Sequence, residues 1–583
     1  MWYNIQSSES NQLRKDADLM NKLKKFLKKD GLYLAIIIIM LLAFFAPFYA
    51  KDLPKGAENG FHYGRLLSLV RTLKLGIFPA KLRPMSMRGF GYGVGFFYPD
   101  FFLYPSAVLV LLGMDIIPAL KFYVVVAAII GAITAYRSID KLIGDKRIAL
   151  VADILYFGTF FLWENLYDGF GIGAFVAQAF LPMTMCGLSR ALKNEKGGYI
   201  EYAIGIVVIV LSHHLSFISL MIALLMMVLI NIKTIIKNPR ILGKLFGVSM
   251  LGLFFTAQYW LPAIELAIHT KYTVIYDNYI DINDHILSLP EVIHSIAPVY
   301  FVLFILAAAL FIYTMIRTRK VYMEGLTYLI VTVLHIICMQ SQAFWKGPIG
   351  QFFAFFQSTD RLTLVVMPLM IIFYAIAIKT FKDEILKKEN TPLIKSPILF
   401  VIVSIVLIIA TRLYIKPDFY NPDAYDRNST LDLTYLETAA DYGISCGEWL
   451  PVECEPSECK EVNISRCDDG TSAEGFKHDD NKYYEAWVLL DKKYYDVPYV
   501  YYYGYRAYLI YDNGNPVKEL SVGEAYDDNG YTRVFMPEGG EGVGHLMVTY
   551  KATRIQKISY VITAVATLAI IALAIFRKKD ENR

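Results

Sequence analysis

Long apolar runs with few charges recur along this 583-residue chain and limit what it can fold into. They are about 17 to 22 residues long, enough for an α-helix to cross a hydrocarbon layer about 30 Å thick. Hydrophobic residues make up 56% of the chain and charged residues only 19%, whereas soluble domains are about 45–50% apolar. The sequence therefore predicts a polytopic α-helical membrane protein.

About twelve segments fit membrane-spanning helices. The predicted spans are residues 33–50, 117–136, 148–163, 172–189, 198–212, 215–231, 245–262, 298–316, 325–340, 362–378, 397–414 and 557–576. Every connection that follows an even-numbered span carries Lys or Arg, whereas the connections ENLYDGFG and HH carry neither. Because basic loops stay in the cytoplasm, this pattern predicts that both termini are cytoplasmic. Residues 99–115 are predicted to lie on the outer face, or to re-enter it, without spanning.

The chain divides into four predicted parts. Residues 1–32 are a basic cytoplasmic N-terminus, 33–414 a transmembrane domain, 415–553 an extracytoplasmic β-rich domain, and 554–583 the last span with its cytoplasmic tail. In the β-rich part, runs such as EAWVLLD and TRVFMPEG are separated by the turn signals DNGN and DDNG, which is typical of a small β-sandwich. The predicted location is the plasma membrane, with the β-rich domain outside.

The first outer loop, residues 51–116, departs from the charge rule, because its basic residues outnumber its acids although it lies outside. The stretch RLLSLVRTLKLGIF has the loose pattern of an amphipathic interfacial helix. Such a helix can rest on anionic lipid headgroups. Alternatively, its bases can hold a phosphate-bearing ligand, since Arg and Lys are natural partners of phosphate oxygens.

Candidate site residues follow from this loop and from polar residues at the outer ends of later spans. In GAENGFHYGR, Glu58 precedes His62 by four residues and Arg65 by seven, so the three share one face if the segment is helical. Glu58 and Asp52 are the candidate catalytic carboxylates, although a loop carboxylate can also be a metal ligand or a plain surface charge. The candidate binding residues are His62, Arg65, Arg71, Lys74, Arg83, Arg88, Tyr92, His213, His214, Asp360 and Arg361.

Four cysteines crowd into the β-rich part: Cys446, Cys454, Cys459 and Cys467. In an extracytoplasmic domain they are candidates for disulfides, with three alternative pairings. A structural zinc site is the alternative. The sequence assigns no other metal ligands and requires no cofactor, while a divalent metal stays open.

Several stretches resemble the integral-membrane glycosyltransferases of the GT-C superfamily, and within it the bacterial membrane protein YfhO family. They are GAENGFHYGR, the continuation GIFPAKLRPMSMRGFGYGVGFFYPDFFLYP, the later FFQSTDRLTLVVMP, and in the β-rich part CGEWLP, YYYGYRAYLI, TRVFMPEG and VTYKAT. Together they run along nearly the whole chain, and their order carries the resemblance.

The resemblance implies an enzyme that takes a sugar from a polyprenyl-phosphate carrier at the outer leaflet. The acceptor would be a cell-wall polymer, a lipid or a protein. By position Glu58, where the group usually has Asp, takes the role of the first-loop carboxylate. His62 and Arg65 match the accompanying bases, and Arg361 matches the arginine of the later motif.

Two other functions stay open. One is a flippase or transporter for a lipid-linked saccharide, which would need polar residues deep within several spans. The ionisable residues instead gather at the outer ends of the spans, His335 being the main exception. The other is a non-catalytic envelope-assembly protein whose β-rich domain binds polymer or protein. Membrane lipid is an expected partner in each case, and nucleic acid is not.

Overall fold

The computed structural model describes residues 30–49, 53, 58–276, 281–386, 397–414, 447–478, 481–510, 516–526 and 528–581. Its helices are α1 (Asp30–Phe44), α2 (Asn59–Lys74), α3 (Val94–Phe97), α4 (Tyr104–Leu111), α5 (Ile116–Ile143), α6 (Lys146–Phe157), α7 (Phe160–Tyr167), α8 (Ile172–Leu192), α9 (Lys196–Val210), α10 (His214–Ile230), α11 (Ile232–Lys237), α12 (Arg240–Phe255), α13 (Ala257–His269), α14 (Thr273–Tyr276), α15 (Leu289–Ile296), α16 (Pro298–Thr318), α17 (Met323–Gln340), α18 (Gln342–Trp345), α19 (Pro348–Phe352), α20 (Thr363–Glu384), α21 (Pro397–Tyr414) and α22 (Arg554–Glu581).

Every predicted span contains a helix, but the helices differ in length. Among the described residues, seven helices are long and apolar enough to cross a membrane, or eight if the bent pair α12 and α13 counts as one. The helix α1, the helix α10 and the segment Phe101–Leu111 are apolar but shorter. The chain is therefore a helical membrane protein, while a count of twelve spans is not confirmed.

Close packing around α8 forms the centre of the helical part. The whole apolar window of α8 is buried, as is 89% of the window in Thr359–Glu384, which contains α20. Glycines let α9 approach α8, because a Cβ on Gly187 would lie 2.5 Å from the Tyr202 backbone nitrogen. A Cβ on Gly198 would lie 2.5 Å from the backbone nitrogen of Ala191. Small residues at such contacts allow helix backbones to pack tightly within a membrane.

The described residues between 447 and 550 form a C-terminal β domain. Its strands in the described residues are β1 (Ile464–Cys467), β2 (Ser472–Lys477), β3 (Tyr483–Leu489), β4 (Tyr494–Val500), β5 (Tyr505–Ile510), β6 (Pro516–Leu520), β7 (Val522–Glu524), β8 (Tyr531–Phe535) and β9 (Val543–Tyr550). They pair antiparallel in the order β6-β5-β9-β3-β2-β1-β4-β8-β7. The two end strands, β6 and β7, are separated in the chain by Ser521 alone. The sheet must therefore curl until its two ends lie next to each other, and its nine antiparallel strands agree with the predicted β-rich domain.

The first loop packs into the core of the β domain. Phe61, Phe90 and Phe97 share one buried cluster with strand residues such as Val500. The backbone nitrogen of Val500 donates to the carbonyl oxygen of Phe90 at 2.9 Å. The β domain therefore rests directly on the loop that carries the candidate residues.

Candidate functional site

Helix α2 carries the motif that the sequence singled out. Glu58 occupies the N-cap position, and its backbone nitrogen donates to the Gly169 carbonyl oxygen at 2.9 Å. This contact ties the start of α2 to the turn before α8. The segment is helical, so Glu58, His62 and Arg65 lie on one face, as their spacing predicts.

A hydrogen-bonded chain joins these three side chains. His62 Nε2 lies 3.1 Å from Glu58 Oε2, and Arg65 Nη1 lies 3.0 Å from His62 Nδ1. A guanidinium can only donate, so His62 Nδ1 must be the acceptor and Nε2 must carry the proton given to Glu58. Burial lowers the pKa of His62 more than the bond to Glu58 raises it. His62 is therefore a neutral positioning residue, not a second cation.

Asp100 pairs with the buried arginines of the loop. Arg65 Nη2 donates to Asp100 Oδ1 at 2.6 Å and to the Pro99 carbonyl oxygen at 2.9 Å. Arg83 donates to the other oxygen of Asp100. The side chains of Arg65, Arg83 and Asp100 are at most 6% exposed. Asp100 pairs with both arginines in the interior, and neither arginine lines the central cavity, so their predicted role in binding a phosphate stays a prediction.

Sequence reasoning missed Asp100 as a partner of these arginines. The signal was a single acid at the end of GFGYGVGFFYPD, in a loop otherwise rich in bases. A buried cation needs a nearby anion, so that acid was the natural candidate.

Of the three hydrogen-bonded side chains, Glu58 is the one that faces open space. Burial raises its pKa, but the hydrogen bond from His62 and the positive charges of Arg361 and Arg65 outweigh burial, so the pKa is lowered overall. Its side chain is 45% exposed. At neutral pH the structure therefore presents a fixed carboxylate, held from behind by His62.

Glu58 lines a cavity of about 1110 Å³, here called the central cavity. Its polar end is lined by Glu58, His213, His214, Gln357, Arg361 and Glu448. Its apolar end runs between α9, α10 and α12, past side chains such as Ile206, Phe217 and Leu253. The cavity therefore joins one charged end to a mostly apolar groove between helices.

Arg361 brings a positive charge to the polar end. Its Nη2 donates to Gln357 Oε1 at 2.8 Å, and both side chains line the cavity. The neighbouring Asp360 does not line it, and its Oδ1 is buried without a hydrogen-bond partner among the described residues. Of this predicted pair, only Arg361 faces the central cavity.

The two adjacent histidines lie at the start of α10. His213 caps that helix, because its Nδ1 accepts from the Ser216 backbone nitrogen at 3.3 Å. Both His213 and His214 also line the central cavity. His213 therefore combines a structural contact with a position at the polar end.

The remaining predicted binding residues lie away from this end. Arg71, Lys74, Arg88 and Tyr92 do not line the central cavity. Arg71 and Lys74 belong to the last turn of α2, and Tyr92 is buried in the core shared with the β domain. Asp52 lies outside the described residues.

The described cysteines of the β domain, Cys454, Cys459 and Cys467, are free thiols. Cys467 Sγ lies 2.9 Å from Asp469 Oδ1 and 2.7 Å from the Thr471 hydroxyl, which hold it within its own turn. The predicted disulfides are therefore not formed among these three, and Cys446 lies outside the described residues. Within the described ranges, no group of three or more His, Cys, Asp or Glu side chains is placed to hold a metal ion.

A second carboxylate reaches the cavity from the β domain. Glu448 follows Gly447 in the motif CGEWLP, and its backbone oxygen accepts from the Val274 nitrogen at 3.0 Å. The next residue, Trp449, stacks on Phe97 with ring centroids 5.0 Å apart. Burial and the negative charge of Glu58 raise the pKa of Glu448, and the charge of Arg361 only partly offsets them. Sequence reasoning used this motif only for the family resemblance and missed Glu448 as a site residue.

Comparison with known proteins leaves the family of the chain open. No family model matches it. A protein of Lactococcus lactis subsp. cremoris (strain MG1363), described as uncharacterized, is 24% identical over 241 residues. That match covers 40% of this chain and 39% of the relative, so the chain spans well under half the length of the protein it matches.

Several solved membrane enzymes share a weak overall similarity. The Archaeoglobus fulgidus oligosaccharyltransferase is 13% identical with a TM-score of 0.39, over 71% of this chain and 56% of its own. ArnT from Cupriavidus metallidurans, solved with undecaprenyl phosphate, is 11% identical with a TM-score of 0.35, over 72% and 75%. The arabinosyltransferase EmbB from Mycobacterium smegmatis is 9% identical with a TM-score of 0.32, over 90% and 62%. At these scores the similarity assigns no activity to this chain.

Fold and site together define a class of protein. It is a helical membrane protein whose C-terminal β domain contributes Glu448 and Trp449 to a cavity with a charged end and an apolar groove.

Proposed function

We propose that this protein is a membrane glycosyltransferase that moves a sugar from a polyprenyl-phosphate carrier to a cell-envelope acceptor on the outer face. The observation that carries the proposal is the make-up of the central cavity. One continuous space holds the carboxylate of Glu58, the guanidinium of Arg361 and an apolar groove between α9, α10 and α12. A lipid-linked sugar phosphate has the matching parts: an isoprenoid chain, an anionic phosphate and a polar sugar.

Each part of the cavity has a role in this proposal. The groove takes the apolar chain of the carrier, which leaves the equally apolar lipid tails and is held in the groove by van der Waals packing. Arg361 pairs with the phosphate, for which a guanidinium is a suitable planar donor. The acceptor hydroxyl attacks the anomeric carbon, and the bond from that carbon to the phosphate oxygen breaks. The phosphate leaves with the electron pair, next to Arg361.

Glu58 is the catalytic carboxylate of this proposal. Its carboxylate is fixed by His62, so it can orient the acceptor hydroxyl and stabilise positive charge that develops on the sugar ring. His213 and His214 line the same polar end of the cavity and can form hydrogen bonds with the sugar phosphate. Asp52 stays a second candidate carboxylate by its position in the sequence.

The test uses the purified full chain in liposomes with radiolabelled polyprenyl-phosphate sugars and crude envelope acceptors. Wild type should release carrier and label product, and Glu58→Gln should lose most of this transfer because the amide carries no charge. Glu541→Gln, an exposed site in the β domain, is the matched control and should behave as wild type. Equal transfer by Glu58→Gln and wild type would overturn the assignment of Glu58.

Carrier binding is measured separately on the same proteins. Arg361→Ala should weaken binding about 10- to 100-fold, the value of one charge-assisted hydrogen bond of about 1.5–3 kcal/mol. Lys346→Ala, an exposed base in the same loop, is the control. If no protein transfers sugar but binding still depends on Arg361, the flippase or binding role replaces the enzyme.

A further inference from the structure

Two carboxylates from distant parts of the chain line the polar end of the central cavity. Glu58 comes from the start of α2, and Glu448 comes from the segment that leads into the β domain. The charge of Glu58 acts on Glu448, and both carboxylates act on Arg361. The cavity therefore holds two acids and one arginine at one end.

Glu58 and Glu448 differ in the groups that surround their carboxylates, and this difference shifts their pKa values in opposite directions. Glu58 accepts a hydrogen bond from His62, which Arg65 holds in place. The carboxylate of Glu448 has no such bond among the described residues; burial, the charge of Glu58 and the charge of Arg361 are what act on it. The pKa of Glu58 is lowered, whereas that of Glu448 is raised.

When the surroundings shift the pKa values of two neighbouring acids in opposite directions, the two acids commonly have different roles in a reaction. A carboxylate whose charge is stabilised by donors is a weak base, and it serves better as a fixed anion. Burial and a nearby negative charge disfavour the ionised form of a carboxyl group, so such a carboxylate is a stronger base. A general base works best when its pKa lies near the operating pH.

We propose that Glu448 is the general base of the reaction, taking the proton from the acceptor hydroxyl while Glu58 remains an anion that orients it. This inference rests on the proposed glycosyltransferase function. The acceptor oxygen forms its bond to the anomeric carbon, its proton passes to Glu448, and the carrier phosphate departs with the electron pair of the broken bond. Glu448 then returns the proton to water.

The structure holds Glu448 in place through its backbone. Segment 448–452 pairs with segment 271–274: the Thr273 nitrogen donates to the Leu450 oxygen at 3.0 Å, and the Val452 nitrogen donates to the Lys271 oxygen at 3.0 Å. Trp449, stacked on Phe97, fixes the neighbouring position. The site is therefore complete only when the β domain is seated on the helical part.

The test is the pH dependence of sugar transfer by the full chain in liposomes. For wild type, kcat/KM should rise with pH through an acid limb set above the usual range of a glutamate. Glu448→Gln should lose this limb and fall about 100- to 10,000-fold, the usual contribution of a general base. Carrier binding should be retained in Glu448→Gln, because Arg361 is still present, and this also shows that the variant is folded. Glu455→Gln, an exposed neighbour in the same segment, is the control and should match wild type.

Two further variants separate a base from a merely structural residue. Glu448→Asp should keep the acid limb with a reduced rate, because a carboxylate remains. Glu448→Ala should regain part of its rate when formate is added. If wild type transfers sugar and Glu448→Gln keeps both its rate and its acid limb, the inference fails while the proposed function stands. If wild type transfers none, the proposed function fails, and the inference with it.

Discussion

At the scale of single residues, Asp100 is the carboxylate that pairs with the two buried arginines of the first loop. It accepts from both Arg65 and Arg83, and all three side chains are buried. The guanidinium carbon of Arg65 also lies 3.9 Å from the ring centroid of Tyr98, which lines the central cavity. Arg65 therefore acts on the cavity indirectly, because it holds His62, which in turn holds Glu58.

Asp100→Asn should therefore destabilise the protein strongly. Removing one member of a buried ion pair leaves uncompensated charge and costs about 3–5 kcal/mol. The effect is measured by thermal unfolding of the detergent-solubilised protein. Asp115→Asn, an exposed residue before α5, is the control and should unfold as wild type does. An Asp100→Asn protein of wild-type stability would refute the pairing.

At the scale of elements, the contact between α8 and α9 shapes the wall of the cavity. Glycines on both helices bring the backbones close, and α9 then lends Ile206 and Val210 to the groove. The bend of 70° between α12 and α13 adds another wall, with Leu253 before the bend and Trp260 after it. The groove thus depends on how closely a few helices approach.

Gly187→Ala should destabilise the helical part by about 1–3 kcal/mol, the usual effect of overpacking. The new Cβ would lie 2.5 Å from the Tyr202 backbone nitrogen, which cannot move aside as a flexible side chain would. Gly247→Ala in α12 is the control, because nothing lies within 4 Å of its Cβ. It should be neutral, or stabilising by up to about 1 kcal/mol through helix propensity. Thermal unfolding compares both with wild type, and equal destabilisation by the two would contradict the packing argument.

At the scale of the whole molecule, the β domain is joined to the helical part at several points. The hydroxyl of Tyr526 donates to the His269 backbone oxygen at 3.0 Å, and just after the domain the hydroxyl of Thr553 donates to Glu265 at 2.6 Å. Lys477 Nζ donates to the Gly89 and Pro498 carbonyl oxygens. These contacts seat the domain that supplies Glu448 to the cavity.

Glu524 on β7 makes the stability of this assembly depend on pH. Burial and the charge of Glu453 raise the pKa of Glu524 to about 8, against about 4.3 for an unfolded glutamate. Between these values the folded protein holds a proton that the unfolded chain does not. Stability is therefore full below the unfolded value and should fall as the pH rises towards 8.

The measurement is thermal unfolding at pH 5, 6.5 and 8. Glu524→Gln should flatten the decline, because its amide does not titrate. Glu538→Gln, exposed in the same domain, should keep the wild-type slope. A decline that Glu524→Gln leaves unchanged would assign the effect to another group.

The sequence by itself determined the features that depend on neighbours along the chain. Apolar runs predicted where helices form, alternation predicted strands, and the spacing of Glu58, His62 and Arg65 predicted one helical face. Only the tertiary structure decided that Asp100 neutralises Arg65, that the sheet curls at Ser521, and that Glu448 enters the cavity. Spacing fixes contacts within a few residues, whereas these pairings join segments far apart in the chain and depend on how the helices and the sheet pack.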